Sequence, residues 1–86
     1  MNYTVTWKPA AVDKLAELWE EAADRLAITE AANSIDALLS KSPDEIGESR
    51  QENTRFLYVA PLAIYFDVFT SDRKVSVWAI WKRNNS

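Results

Sequence analysis

Aromatic and β-branched residues alternate at the start of the chain. Tyr3, Val5 and Trp7 interleave with Thr4 and Thr6, a period of two that predicts a strand. Lys8-Pro9 ends it, and Pro9 suits the first turn of a helix, where its missing N–H would have no partner in any case. From Ala10 to about Leu26 the apolar positions Ala11, Leu15, Leu18, Trp19, Ala22 and Leu26 follow helical spacing. Asp13, Glu17, Glu20, Glu21 and Asp24 cover the other side, with Asp13 near the positive helix start. Thr29 as N-cap and Glu30 in the first turn signal a second helix, along which Ile28, Ala31, Ala32, Ile35, Leu38 and Leu39 form a stripe. A short link makes the two helices an αα-hairpin. Ser42-Pro43 stops the second, because the residue before proline is pushed out of the α region.

Residues 42–53 read as a long polar connection containing the only glycine, Gly47, which is expected to supply a positive φ or a close backbone approach. Three strands follow over Thr54–Val59, Leu62–Phe69 and Lys74–Lys82, joined by Ala60-Pro61 and by Ser71-Asp72-Arg73. The order strand, helix, helix, strand, strand, strand predicts a single α+β domain over residues 1–86. Its helical pair would pack on one face of a mainly antiparallel four-stranded sheet.

Uninterrupted alternation then divides the strands. Leu57, Val59, Leu62, Ile64, Phe66, Val68, Val75, Val77, Ala79 and Trp81 are expected to face the helices. The face without helices would carry Phe56, Tyr58, Tyr65, Phe69, Trp78 and Ile80, with Asp67 and Lys82 among them. That much aromatic surface calls for a cover: loops, a second copy in a homodimer, or a partner chain. Of the four tryptophans, only Trp78 is expected to be a surface anchor.

Composition narrows the function. The 86 residues are 48% hydrophobic, enough for a core. No Cys excludes disulfides and thiolate chemistry, and no His excludes the usual zinc sites and Ser/His/Asp triads. The acidic helix face lacks the loop geometry of an oxygen-ligand site, so neither metal nor cofactor is expected. No signal peptide and no apolar run near the roughly 18 residues of a membrane span are visible, so a cytoplasmic protein without membrane contact is expected.

The net charge of −3 conceals a split. Residues 1–52 hold 11 acids and 5 bases, a net of −6, whereas residues 53–86 hold 2 acids and 5 bases, a net of +3. The basic candidates are Arg50, Arg55, Arg73, Lys82 and Arg83. If the strands at 54–59 and 74–82 flank the one at 62–69, Arg50, Arg55, Lys82 and Arg83 could meet at one sheet edge. Together with Tyr65 they could bind a phosphate or stabilise a phosphorane.

Several segments carry a family resemblance over nearly all of the chain. They are the opening Tyr3-Thr4-Val5-Thr6-Trp7-Lys8-Pro9-Ala10-Ala11 and the run Ala31-Ala32-Asn33-Ser34-Ile35-Asp36-Ala37-Leu38-Leu39 leading to Pro43. Next come Gly47-Glu48-Ser49-Arg50 and Pro61-Leu62-Ala63-Ile64-Tyr65-Phe66-Asp67-Val68, then Asp72-Arg73-Lys74-Val75 before a Val-rich strand. Together they resemble the RelE/ParE superfamily of small toxins from bacterial type II toxin–antitoxin operons, known for plasmid stabilisation and growth arrest. The resemblance implies an antitoxin partner whose C-terminal segment wraps across helix and sheet. RelE-like members are ribosome-dependent, metal-independent mRNA endonucleases that use Arg and Lys on the open sheet face plus a C-terminal Tyr or His. ParE-like members poison DNA gyrase without that chemistry. Where nuclease members often place Arg on the open face, this chain has Phe56, Tyr58 and Ala63, and it ends Lys82-Arg83-Asn84-Asn85-Ser86. A sequence pI near 4.8 also opposes approach to an RNA surface. The first expectation is therefore a toxin-like subunit that acts by binding a macromolecular target, gyrase being one candidate. Two alternatives stand beside it. One is an mRNA endonuclease acting at the ribosome through Arg50, Arg55, Tyr65, Lys82 and Arg83. The other is an inactive homologue serving as a homodimeric interaction protein.

Overall fold

The structure, a computed structural model, describes residues 2–83. The order is β1 (Thr4–Trp7), α1 (Pro9–Glu21), α2 (Arg25–Lys41), β2 (Glu48–Gln51), β3 (Thr54–Val59), β4 (Leu62–Phe69) and β5 (Lys74–Lys82). The strands form one mixed sheet in the order β1-β5-β4-β3-β2, with β1 parallel to β5 and every other pair antiparallel. Both helices lie on the same face. Ala11, Ile28, Ala31, Ile35 and Leu39 from the helices meet Leu57, Leu62, Ile64, Phe66, Val68, Val75 and Val77 from the sheet in one apolar core. The α+β architecture and the bounds of the last three strands are as expected.

Two boundaries differ from the sequence reading. The first helix stops at Glu21, with Ala22 in extended conformation, and the second begins at Arg25 rather than beyond Thr29. Asp24 is its N-cap: the carboxylate accepts the Ala27 backbone N–H at 3.1 Å. Thr29 lies inside the helix, donating back to the Arg25 carbonyl oxygen four residues earlier. Arg25 also holds the end of α1 by donating to the carbonyl oxygens of Trp19 and Glu20, both at 3.2 Å. Leu26, placed by helical spacing on the buried stripe, is 66% exposed at the start of α2.

The sheet has five strands rather than four. Part of the polar connection is β2, four exposed residues paired to β3 through Glu48↔Phe56, Ser49↔Arg55 and Gln51↔Thr54. An edge strand that buries neither face carries no apolar alternation, so pattern alone cannot find it. Gly47 enables this strand. Its φ is +71°, and a Cβ there would collide with the Phe56 carbonyl oxygen, so both reasons anticipated for a glycine hold.

Candidate functional site

The site is the sheet face without helices, and a bulge in β5 determines its composition. Tyr65 pairs with Ala79 but Phe66 pairs with Val77, so Trp78 is the extra residue and alternation reverses there. Before the bulge, Val75 and Val77 face the core as expected. Beyond it the assignment inverts. Ile80, expected on the open face, belongs to the helix-side core at 5% exposure. Ala79 and Trp81, expected in the core, pair with Tyr65 and Ala63 on the open face.

The open face thus presents Phe56, Tyr58, Tyr65, Trp78 and Trp81. Trp81 lies 5.9 Å from Phe56 and 5.2 Å from Tyr65, and Tyr65 stacks on Trp78 at 5.3 Å with 11° between the rings. These mutual contacts partly supply the cover that so much aromatic surface needs: Phe56 is buried, and Tyr58, Tyr65 and Trp81 are half-buried. Trp78 at 41% and Phe69 at 39% remain exposed.

The basic candidates separate. Arg50 and Arg83 reach this face, their guanidinium carbons 5.0 and 6.0 Å from the Phe56 ring centre, and Arg83 is 5.4 Å from Tyr58. Arg50 also lies 3.8 Å from the Glu48 carboxylate. Arg55 does not join them. It pairs with Phe66, points to the helix side, and donates to the carbonyl oxygens of Ile46 at 2.8 Å and Gly47 at 3.3 Å, tying down the loop before β2. Lys82 pairs with Leu62 and also belongs to the helix-side register. Arg73 lies at a sheet end beside Tyr3, 5.7 Å from its ring. The predicted cluster of Arg50, Arg55, Tyr65, Lys82 and Arg83 is therefore split between two faces, because neighbours along a strand point oppositely. Asn84, Asn85 and Ser86, where a catalytic tail would be sought, lie outside the described residues. Among the described residues no group of three or more acidic, His or Cys side chains is placed to hold a metal ion.

A second feature lies across the molecule. Val12, Leu15, Ala16 and Trp19 of α1 and Ile28 and Ala32 of α2 line a groove of about 390 Å³ between the helices. Trp19, expected in the core, is 41% exposed at this groove, with the Arg25 guanidinium 4.5 Å from its ring. The sequence held a signal for it: Val12, Leu15, Ala16 and Trp19 form a second apolar stripe at helical spacing beside the core stripe.

No family model matches the chain, and no curated protein matches it by sequence. Solved structures do. The RelBE2 toxin–antitoxin complex of Mycobacterium tuberculosis aligns with a TM-score of 0.81 at 15% identity, covering 99% of this chain and 95% of that one. The chromosomal ParDE system of P. aeruginosa gives 0.75 at 14% identity, over 95% and 97% of the two chains. The isolated E. coli RelE toxin gives 0.66 at 13% identity, over 98% and 87%. Similarity along the whole length to both RelE and ParE systems, with the same strand–hairpin–sheet order that the sequence motifs implied, leads to one structural conclusion: the chain has the RelE/ParE toxin fold.

Proposed function

We propose that this chain is the toxin-like subunit of a type II toxin–antitoxin pair, acting by binding a macromolecular target and silenced by a cognate antitoxin. The observation that carries this reading is the coexistence of two unpaired apolar surfaces on one small fold: the groove between α1 and α2, and the aromatic sheet face ending in Trp78 and Phe69. An antitoxin segment that laid a helix in the groove and continued across Tyr58, Tyr65, Trp78 and Phe69 would cover both, by coupled folding and binding. The split of the basic residues supports target binding over phosphodiester cleavage. With Arg55 and Lys82 on the helix side, Arg50 and Arg83 are what remains of the basic candidates on the face of Tyr65, and Arg50 is already near Glu48.

Arg50 and Arg83, both over the Phe56 ring beside Tyr65, favour the second reading, an mRNA endonuclease with a reduced set of groups. The two are separated by induced expression in a sensitive cytoplasm, with translation, transcript integrity and DNA supercoiling assayed in parallel. Target binding of the ParE kind predicts growth arrest with altered supercoiling and intact transcripts. Cleaved transcripts, and recovery of growth with Arg83→Ala, would establish the nuclease instead. Folded protein at high level without arrest would sink both and leave the homodimeric interaction protein.

A further inference from the structure

Charges are unevenly spread over the open face. Its guanidinium groups gather over Phe56 and Tyr58, whereas the end near the β2–β3 turn carries the Asp67 carboxylate, with Lys74 in register with Phe69 farther along and not paired to that carboxylate. Asp67 is the one acidic residue of β4 and stands in register with Thr54 and Ser76. One of its oxygens, Oδ1, accepts the Thr54 hydroxyl at 2.6 Å and the Trp78 indole N–H at 3.2 Å. Among the described residues no cation pairs with Asp67, and its other oxygen has no donor. Beside it opens a polar pocket of about 210 Å³ lined by Gln51, Glu52, Asn53, Thr54 and Asp67. The indole of Trp78, held against Asp67 by its N–H and stacked on Tyr65, is 41% exposed.

We propose that this pocket seats the guanidinium of an arginine from a partner chain. Trp78 stands outside the lining, across Asp67 from it; a planar cation held at the Asp67 border of the pocket can direct N–H groups to the free Asp67 oxygen and the side-chain carbonyls of Gln51 and Asn53 while facing the exposed Trp78 ring. Glu52 adds a second negative charge at the rim. The fit is better for arginine than for lysine, whose compact ammonium neither stacks nor forks. The chain solves the same problem internally: Arg25 lies 4.5 Å from the Trp19 ring while its N–H groups reach two carbonyl oxygens at 3.2 Å. The inference rests on the reading of this face as a partner surface, and specifies one residue of that partner.

The test uses the whole chain with ¹⁵N-labelled tryptophan, the Trp78 indole signal being assigned with Trp78→Phe. N-acetyl-arginine amide is titrated against its neutral isostere N-acetyl-citrulline amide and against N-acetyl-lysine amide. The expected result is a saturable shift of the Trp78 indole N–H with the arginine compound. Half-saturation should lie in the millimolar range, as befits a single-residue ligand without the rest of an interface. Binding should be at least fivefold weaker for the other two compounds. Asp67→Asn, which keeps an acceptor for Thr54, should abolish the selectivity for arginine over citrulline. Glu52→Gln, on the exposed turn, should weaken arginine binding about twofold and serves if Asp67→Asn fails to fold. Equal response to all three compounds, no saturable shift, or unchanged selectivity in the folded variants would overturn the proposal. No partner chain enters this measurement, so its failure leaves the toxin reading intact, and absence of growth arrest leaves its result intact.

Discussion

Replacing Ile80 with alanine tests where β5 turns over. Ile80 is 5% exposed and lies in the core cluster because the bulge at Trp78 reverses alternation just before it. The substitution removes three buried carbons, about 2.4 kcal/mol at ~0.8 kcal/mol per buried CH₂. Incomplete collapse of the surrounding side chains leaves a cavity and brings the loss to about 3 kcal/mol, within the range of about 2–5 kcal/mol for buried Ile→Ala. With an unfolding entropy of roughly 2.1 cal/mol/K per residue over 86 residues, about 3 kcal/mol lowers Tm by about 17 °C. Urea unfolding followed by tryptophan fluorescence should show a reduced midpoint at unchanged m. On a sheet face open to solvent the same change would lose only strand propensity, at most about 1 kcal/mol. A measured loss below that limit would refute both the bulge and the core assignment.

Gly47→Ala should destabilise by about 2 kcal/mol or more and disturb the β2–β3 pairing, because a positive φ and a backbone collision combine there; denaturation and amide exchange at Glu48 and Ser49 read both effects. Arg55→Ala should cost about 1–2 kcal/mol through its lost bonds to the Ile46 and Gly47 carbonyls, whereas a purely catalytic arginine would leave Tm unchanged. Asp24→Ala should lose about 1 kcal/mol of stability as a missing N-cap, and Thr29→Ala should stay within about 0.5 kcal/mol; the reverse order in thermal unfolding would restore the later helix start.

Much of the architecture was legible from local chemistry. Pro9 marks the start of α1 and Pro43 the end of α2, and Gly47 marks a place where no side chain fits. The last three strands follow their apolar runs residue for residue. The helix junction was readable only in part, because Asp24 and Thr29 are both good N-caps and the choice depends on which one meets a free backbone N–H. β2 gave no sign of itself, since Glu48, Ser49, Arg50 and Gln51 bury nothing and pair only because Gly47 lets the chain approach β3.

The sequence by itself determined the residue types of the site: many aromatics, scattered arginines, no histidine or cysteine, and an acidic helical half. Only the tertiary structure decided which of them meet. One extra residue at Trp78 moves Ile80 into the core and brings Trp81 to the aromatic face, an effect invisible to a reading that assumes unbroken alternation. Pairing register likewise sends Arg55 to the helix side, while Arg50 arrives at Phe56 from β2 and Arg83 from just past the end of β5. The physical reason is common to both: side-chain direction in a sheet has a period of two, so a single insertion or a single step in register exchanges core for surface.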